Sequence, residues 1–125
     1  MTSSPTEPPE RGEIWLTVLG SGRPGELGKT RPAVVVSTAL TWTGSPRDRV
    51  SVVPLSASSS ASILSPGVAA TTASGLEHAS AALSDAVRGV VPSRLAKRIG
   101  RVTAAEQRQI DRALAVVLGL PAPLR

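Results

Sequence analysis

The sequence predicts a mainly β fold, in which a small, curled antiparallel sheet or barrel carries one packed helix. Several short apolar runs rich in β-branched residues alternate with segments of glycine, proline and serine, which is typical of short strands joined by turns. One amphipathic pattern follows these runs near the carboxyl end. The 125 residues are enough for one domain with a core of its own.

The amino-terminal segment predicts a disordered tail rather than a structural element. Residues 1–10, MTSSPTEPPE, offer almost nothing to bury. They also lack the apolar stretch of a secretory signal, and no aliphatic run in the chain approaches the length of a membrane span. We therefore expect a cytoplasmic protein without a membrane partner.

The first strand is predicted over residues 11–19, RGEIWLTVL, because these residues alternate between two faces. Ile14 and Leu16 share one face, and Trp15 lies on the other. Residues 20–30, GSGRPGELGKT, then form a long loop. Its glycines do not have the spacing of a phosphate-binding loop, and a strand rather than a helix follows it. The pattern therefore predicts a mobile lid over the start of the second strand.

The second strand is predicted from residues 33–36, AVVV, an unbroken apolar run typical of a strand buried on both faces. Pro32 is expected at the start of this strand because it has no N–H group for the ladder. Pro32 also favours an extended backbone at Arg31. Arg31 is thus held at the mouth of a rigid strand, where its guanidinium can bind a phosphate. A solvated charge at a strand end is the alternative interpretation.

The next elements are short. Residues 43–49, TGSPRDR, predict a turn, and residues 50–55, VSVVPL, predict the third strand. The serine-rich residues 56–60 predict a flexible loop. Residues 68–72 predict another short strand, which Gly75 closes.

The residues of segment 79–91, ASAALSDAVRGVV, do not by themselves decide whether it forms a helix or a strand. Its alanines favour a helix, whereas the alternation and the β-branched residues at its end favour a strand. Pro92 ends either element. Residues 94–100, RLAKRIG, follow as a basic patch.

The last element is an amphipathic helix. Thr103 is predicted as its N-cap, and Glu106 three residues later completes a capping box. Ile110 and Leu114 lie on the apolar face of the predicted helix. Gly119 is expected to end it.

The composition restricts the possible chemistry. A formal net charge of +5 predicts an anionic partner, either a nucleic acid or an acidic protein. The chain has no cysteine and a single histidine, His78, so disulfides and clustered thiolate or histidine metal ligands are excluded. Trp15 and Trp42 are too few rings for a base-stacking platform, so arginines and backbone groups would make most contacts to a nucleic acid.

Several fragments of the sequence together resemble the MazF/PemK family of toxin–antitoxin ribonucleases. RGEIW, GKTRPAVVVS, VVPLS, SGL, VRGVVPSRL and RIG occur in this order, and a terminal helix ending in LGL follows them. The resemblance implies an SH3-like β-barrel of short antiparallel strands with a C-terminal helix. It also implies a toxin domain over residues 11–120 between tails at 1–10 and 121–125, and it makes residues 83–90 a strand.

The resemblance implies an activity and partners as well. The family cleaves single-stranded RNA, mRNA above all, sequence-selectively and without a metal ion or cofactor. The products carry a 2′,3′-cyclic phosphate and a 5′-hydroxyl. The resemblance further implies a homodimer that a small acidic antitoxin neutralises.

The family's catalytic pair can be placed on this sequence. An arginine just before the proline of the second strand matches Arg31, and a hydroxyl at the end of the third strand matches Ser56, where the family more often has threonine. Independently of the family, a fixed guanidinium and a hydroxyl can stabilise the charge that develops when a 2′-hydroxyl attacks a phosphate. Glu26 matches a recurring acidic residue of the first loop and is the candidate general base.

Four further residues are candidates for RNA contact: Lys29, Thr30, Ser58 and Arg88. Lys29 and Thr30 directly precede Arg31. Arg88 belongs to the VRGVV fragment, which matches a family segment near the groove. His78 is predicted to be an ordinary surface histidine.

Two other classes of function stay open at this point. One is a non-catalytic toxin with the same barrel that poisons DNA gyrase by protein contact, in which case the terminal helix would carry the function. The other is a member that binds RNA or an antitoxin without cutting, which the serine at position 56 allows. The combination of GKTRP with VVPLS favours the nuclease.

Overall fold

A computed structural model of the chain describes residues 4–20 and 29–121. Within these residues the chain forms seven strands and one α-helix. Their bounds are β1 Glu13–Gly20, β2 Lys29–Val35, β3 Val50–Ser56, β4 Gly67–Val68, β5 Ser80–Ala82, β6 Arg88–Val90, β7 Leu95–Arg101 and α1 Ala104–Val117. The prediction of short antiparallel strands followed by one terminal helix is confirmed.

The sheet curls around β3. The strand order is β4-β5-β3-β2-β1-β7, every pair of neighbours is antiparallel, and β6 also pairs with β3. The first half of β3, Val50 to Val52, pairs with β6, while Leu55 and Ser56 at its end pair with β5. One strand therefore belongs to two parts of the sheet.

The core consists of two clusters, one on each side of the central strands. The first lies between the sheet and α1 and includes Ile14, Val34, Val53, Leu55 and Ile110. The second lies on the opposite side of the sheet, and its buried members are Leu19, Ala33, Val35, Val50, Val52, Val90 and Leu95. Neighbouring residues of β2 fall into different clusters, so the prediction that this apolar run is buried on both faces is confirmed.

Pro32 lies within β2 and not at its start, so the predicted position was wrong. β2 begins at Lys29, and Pro32 is the Cα partner of Leu16 in β1. The ladder between β2 and β3 includes only Ala33 to Val35. On the β3 side, β2 is therefore unpaired at Pro32, and a missing N–H there costs no ladder hydrogen bond.

The prediction of one strand over residues 83–90 was wrong as well. The chain forms β5 and β6 with a 3-10 turn, Ser84–Ala86, between them. The break lies opposite Pro54, whose carbonyl oxygen accepts a hydrogen bond from the Leu83 N–H at 2.9 Å. Because Pro54 has no N–H to return, the ladder cannot continue past it, and the segment pairs with β3 in two separate pieces.

The predicted strand over residues 68–72 is shorter than expected, since β4 is only Gly67–Val68. The following segment, residues 69–78, is a loop folded around Ser74, which is 2% exposed. The Ser74 hydroxyl donates to the Ala69 carbonyl at 2.8 Å and accepts the Thr71 N–H at 2.9 Å. These contacts satisfy the loop backbone locally, so no strand ladder is needed there.

The loop 69–78 rests directly on the backbone of β7. Arg101 N donates to the Ala73 carbonyl at 2.9 Å. A Cβ added to Gly75, whose φ is +71°, would lie 2.0 Å from the Ile99 carbonyl oxygen. A Cβ added to Gly100 would lie 2.2 Å from the Ser74 carbonyl oxygen. Glycine at both positions allows this close approach.

The terminal helix α1 begins as the sequence predicts. The Glu106 N–H donates to the Thr103 hydroxyl at 3.0 Å, and the Thr103 N–H donates to the Glu106 carboxylate at 2.8 Å. The capping box is therefore complete. Ile110 and Ala113 are buried against the sheet, and Gly119 follows the helix with a φ of +68°. No helix in the described ranges is long and apolar enough to cross a membrane.

Two peripheral segments also have defined contacts. Pro9 is buried, and the Glu10 carboxylate pairs with Arg101 at 2.8 Å. In the predicted turn over residues 43–49, Asp48 accepts hydrogen bonds from the Thr43 hydroxyl at 2.6 Å and from the Thr43 and Gly44 N–H groups. The hydrogen bond from the Thr43 hydroxyl is the main reason why the pKa of Asp48 lies below its ordinary value.

Candidate active site

Arg31 in β2 and Ser56 at the end of β3 lie where the ladder between these two neighbouring strands stops. Arg31 is exposed and stands two residues before Ala33, while Ser56 ends β3 two residues after Pro54. Ala33 and Pro54 form the last pair of the ladder between the two strands. Because side chains alternate along a strand, Arg31 and Ser56 belong to the same face as that pair and lie just beyond it. The register thus places the two predicted catalytic residues at the same end of the ladder between β2 and β3.

Ser56 is the centre of a group of hydroxyls. The Ser59 hydroxyl donates to the Ser56 Oγ at 3.0 Å, and the Oγ atoms of Ser56 and Ser58 are 3.2 Å apart. A serine lacks the methyl group that restricts the rotamer of threonine. Here the two neighbouring hydroxyls hold Ser56, and when Ser58 is the donor in its pair, the Ser56 proton can form a hydrogen bond to a phosphate oxygen. Ser58, a predicted RNA contact, thus lies beside the candidate catalytic hydroxyl.

Arg88 lies against the end of β1. Its guanidinium donates to the Leu19 carbonyl, and that of Arg94 donates to the Val18 carbonyl at 3.4 Å. Both arginines thereby hold the strand end that leads into the predicted lid. The prediction that Arg88 contacts RNA stays a prediction.

The remaining predicted site residues belong to the lid and the start of β2. Lys29 and Thr30 open β2, and Thr30 is exposed and pairs with Val18 of β1. Glu26 lies outside the described residues, as does most of the predicted lid.

A cleft of about 460 Å³ borders Arg31. Its apolar walls come from β1, β2, β3, β7 and the loop 69–78, and its polar lining includes Glu77, His78 and Ser80. The full lining is Leu16, Arg31, Pro32, Leu55, Ala57, Gly75, Leu76, Glu77, His78, Ser80 and Ile99. The cleft is therefore shaped by residues that are distant in sequence.

Sequence reasoning missed Glu77 entirely and assigned His78 to the general surface. The structure places both in the cleft that Arg31 borders, although His78 is exposed as predicted. The signal that could have indicated them is their position just before β5, the strand that pairs with Leu55 and Ser56. In the described part of the chain, no group of three or more histidine, cysteine, aspartate or glutamate residues could hold a metal ion.

Comparisons with known proteins identify the family. The model for the PemK-like, MazF-like toxins of type II toxin-antitoxin systems matches residues 10–118. Endoribonuclease MazF9 from Mycobacterium tuberculosis is 36% identical over 113 residues, which cover 88% of this chain and 96% of the relative. The chain therefore belongs to the PemK-like, MazF-like toxin family, as its sequence fragments predict.

Solved structures confirm the fold class. An endoribonuclease from a mycobacterial species in complex with its cognate antitoxin is similar with a TM-score of 0.70 and 24% identity, covering 92% of this chain and 99% of that one. The toxin MazF-mt6 of Mycobacterium tuberculosis has a TM-score of 0.69 and 19% identity, with coverages of 87% and 98%. MazF from Deinococcus radiodurans has a TM-score of 0.67 and 19% identity, with coverages of 94% and 99%. The shared architecture is a curled half-barrel of antiparallel strands with a C-terminal helix.

Proposed function

We propose that this MazF-family endoribonuclease toxin cleaves single-stranded RNA sequence-selectively, and without a metal ion, by attack of a ribose 2′-hydroxyl on the adjacent phosphate. The products carry a 2′,3′-cyclic phosphate and a 5′-hydroxyl. The observation that carries the proposal is the position of Arg31 and Ser56 on one face, just beyond the last pair of the ladder between β2 and β3.

Arg31 and Ser56 act on the charge of the transition state. As the 2′-oxygen forms its bond to phosphorus and the bond to the 5′-oxygen breaks, negative charge builds on the non-bridging oxygens. The Arg31 guanidinium and the Ser56 hydroxyl donate hydrogen bonds to these oxygens, and such preorganised donors are most effective where charge develops. Both donors belong to packed strands, so little reorganisation is needed during the reaction.

Two protons must move in this reaction. The 2′-hydroxyl loses one, and the leaving 5′-oxygen gains one. Arginine hardly ever deprotonates in proteins, so Arg31 is not the base. We assign the base to Glu26, on the match to the family's acidic loop residue, and it takes the proton of the 2′-hydroxyl. Arg31 donates a hydrogen bond to the leaving 5′-oxygen, which takes its proton from water.

Binding of the RNA backbone rests on charge and hydroxyls. Lys29, Thr30, Ser58 and Arg88 contact the strand on either side of the scissile phosphate, and the net charge of +5 attracts it. The substrate is mRNA in the cytoplasm. The toxin domain spans residues 11–120, between tails at 1–10 and 121–125.

Two protein partners complete the proposal. A small acidic antitoxin covers the surface around Arg31 and places its carboxylates where RNA phosphates would lie. The positive net charge of this chain steers the encounter. The mycobacterial relative that was solved with its cognate antitoxin supports this partner. Two copies of the chain form a homodimer of about 26 kDa, twice the 12.8 kDa of one chain.

Incubation of the purified protein with single-stranded RNA in excess EDTA tests the reaction. We expect cleavage at an unchanged rate, because the guanidinium and the hydroxyl stabilise the charge that a metal ion would otherwise stabilise. The 5′-hydroxyl ends of the products should accept a phosphate from a polynucleotide kinase. The 3′ ends should resist ligation, because their phosphate is cyclic. A strict Mg²⁺ requirement would contradict the mechanism, and intact RNA under all conditions would favour a non-catalytic toxin.

A further inference from the structure

The cleft beside Arg31 has the composition of a small-molecule pocket rather than of a phosphate track. Its volume of about 460 Å³ lies in the usual range for ligand pockets. Leu16, Pro32, Leu55, Leu76 and Ile99 form apolar walls, and only a few polar groups interrupt them. A phosphate would leave these walls uncovered, whereas a flat aromatic ring would cover them.

The cleft and the pair Arg31 and Ser56 start from opposite faces of the sheet, and they meet at Arg31. Leu16 and Pro32 are paired across β1 and β2, and they continue the face of Ile14 and Val34, which belongs to the first core cluster. Arg31 alternates to the other face and reaches the cleft at its border. Because Arg31 borders the cleft, one nucleotide can reach both, with its phosphate at Arg31 and its base among the apolar walls.

The polar groups of the cleft come from one short segment. Glu77, His78 and Ser80 lie on the approach to β5, and the Ser80 hydroxyl donates to the His78 carbonyl at 3.0 Å. Among the described cleft residues, Glu77 is the one with a negative charge. A carboxylate in a site for a polyanion weakens binding unless it makes a specific contact, which is how charge commonly supplies selectivity.

A carboxylate can only accept hydrogen bonds, and it accepts two side by side. Guanine presents two adjacent donors on its Watson–Crick edge, the N1–H and the N2 amino group. Adenine, cytosine and uracil each place an acceptor next to their donor there, and an acceptor repels the second carboxylate oxygen. We propose that the cleft is a subsite for a single nucleobase next to the scissile phosphate, and that Glu77 makes it selective for guanine.

The support behind Glu77 is rigid. The preceding loop residues pack on β7 through the glycine contacts at Gly75 and Gly100, and Ser74 is buried within the loop. Leu76 is buried immediately before Glu77. Because the wall of the cleft is already ordered, binding a base does not have to pay for ordering it.

Cleavage of a randomised single-stranded RNA pool by the full-length protein tests this inference, which rests on the proposed function. The wild-type protein should enrich guanine at one position beside the cut. Glu77→Gln should reduce that enrichment about tenfold or more, the discrimination that one bidentate base contact supplies, and should increase the use of adenine. Enrichment at all other positions should stay the same. Glu7→Gln is the matched control, since Glu7 is exposed and lies outside the cleft.

The possible outcomes separate the two proposals. A wild-type protein that cuts no RNA would overturn the proposed function and the subsite with it. A wild-type protein that cuts without a guanine preference beside the scissile bond, or a Glu77→Gln variant that keeps it, would overturn the subsite alone. A variant with an unchanged motif and weaker self-association in light scattering would show that a second copy of the chain occupies the cleft.

Discussion

Arg31→Ala is expected to slow RNA cleavage by about 10²–10³-fold, the usual effect of removing one preorganised donor to a charged transition state. The variant should fold normally, because Arg31 is exposed and makes no ion pair with any acidic residue in the described ranges. Ser56→Ala should act in the same direction. Single-turnover cleavage of a short RNA, with circular dichroism as the folding check, measures both effects.

Arg47→Ala serves as the control for Arg31→Ala, since it also removes an exposed arginine, from the turn over residues 43–49. It lowers the net charge by the same amount and should leave the rate nearly unchanged. A cell strain in which the Arg31→Ala protein keeps full toxicity would remove Arg31 from the catalytic pair. Equal losses in both variants would indicate a general charge effect rather than a local one.

Gly75→Ala is expected to cause a large loss of stability. The new Cβ would lie 2.0 Å from the Ile99 carbonyl oxygen, so the loop 69–78 or β7 must move. Overpacking of this kind costs about 1–3 kcal/mol, in addition to about 1–2 kcal/mol for an alanine with a positive φ. Urea denaturation would measure the total as a lower free energy of unfolding.

Gly44→Ala separates the two contributions. Gly44 has a φ of +83°, close to that of Gly75, but an added Cβ would meet nothing within 4 Å. This control should therefore show the conformational cost alone. If both variants lost the same free energy of unfolding, the loop would not rest on β7 as described, and the rigid support of Glu77 would be lost with it.

Features that depend on near neighbours could be predicted from the sequence. The capping box joins Thr103 and Glu106, which are three residues apart, so both partners are visible in one fragment. The unbroken apolar run of β2 is enough to predict that this strand is buried on both faces. The assignment of Arg31 and Ser56 to one catalytic site came from the family resemblance, and the register of β2 and β3 is consistent with it.

Features that depend on distant partners could not be predicted. Whether Pro32 can lie inside a strand depends on where β3 stops pairing with β2. The division of residues 83–90 depends on Pro54, about thirty residues earlier, whose missing N–H interrupts the ladder. Glu77 becomes a site residue only because β5 pairs with the end of β3 and the loop before it packs on β7. Periodicity within a single segment contains none of this information.

A single 2′-deoxy nucleotide placed immediately 5′ of the scissile phosphate tests the proposed nucleophile most directly. The substituted RNA keeps its phosphate and its bases, so it should bind as tightly as the all-ribose strand. It should nevertheless stay intact at that bond, because the attacking hydroxyl is missing, while cleavage at a second, unmodified site in the same strand continues. Cleavage of the substituted bond at a rate close to that of the all-ribose bond would contradict attack by the 2′-hydroxyl, and with it the roles of Arg31 and Ser56.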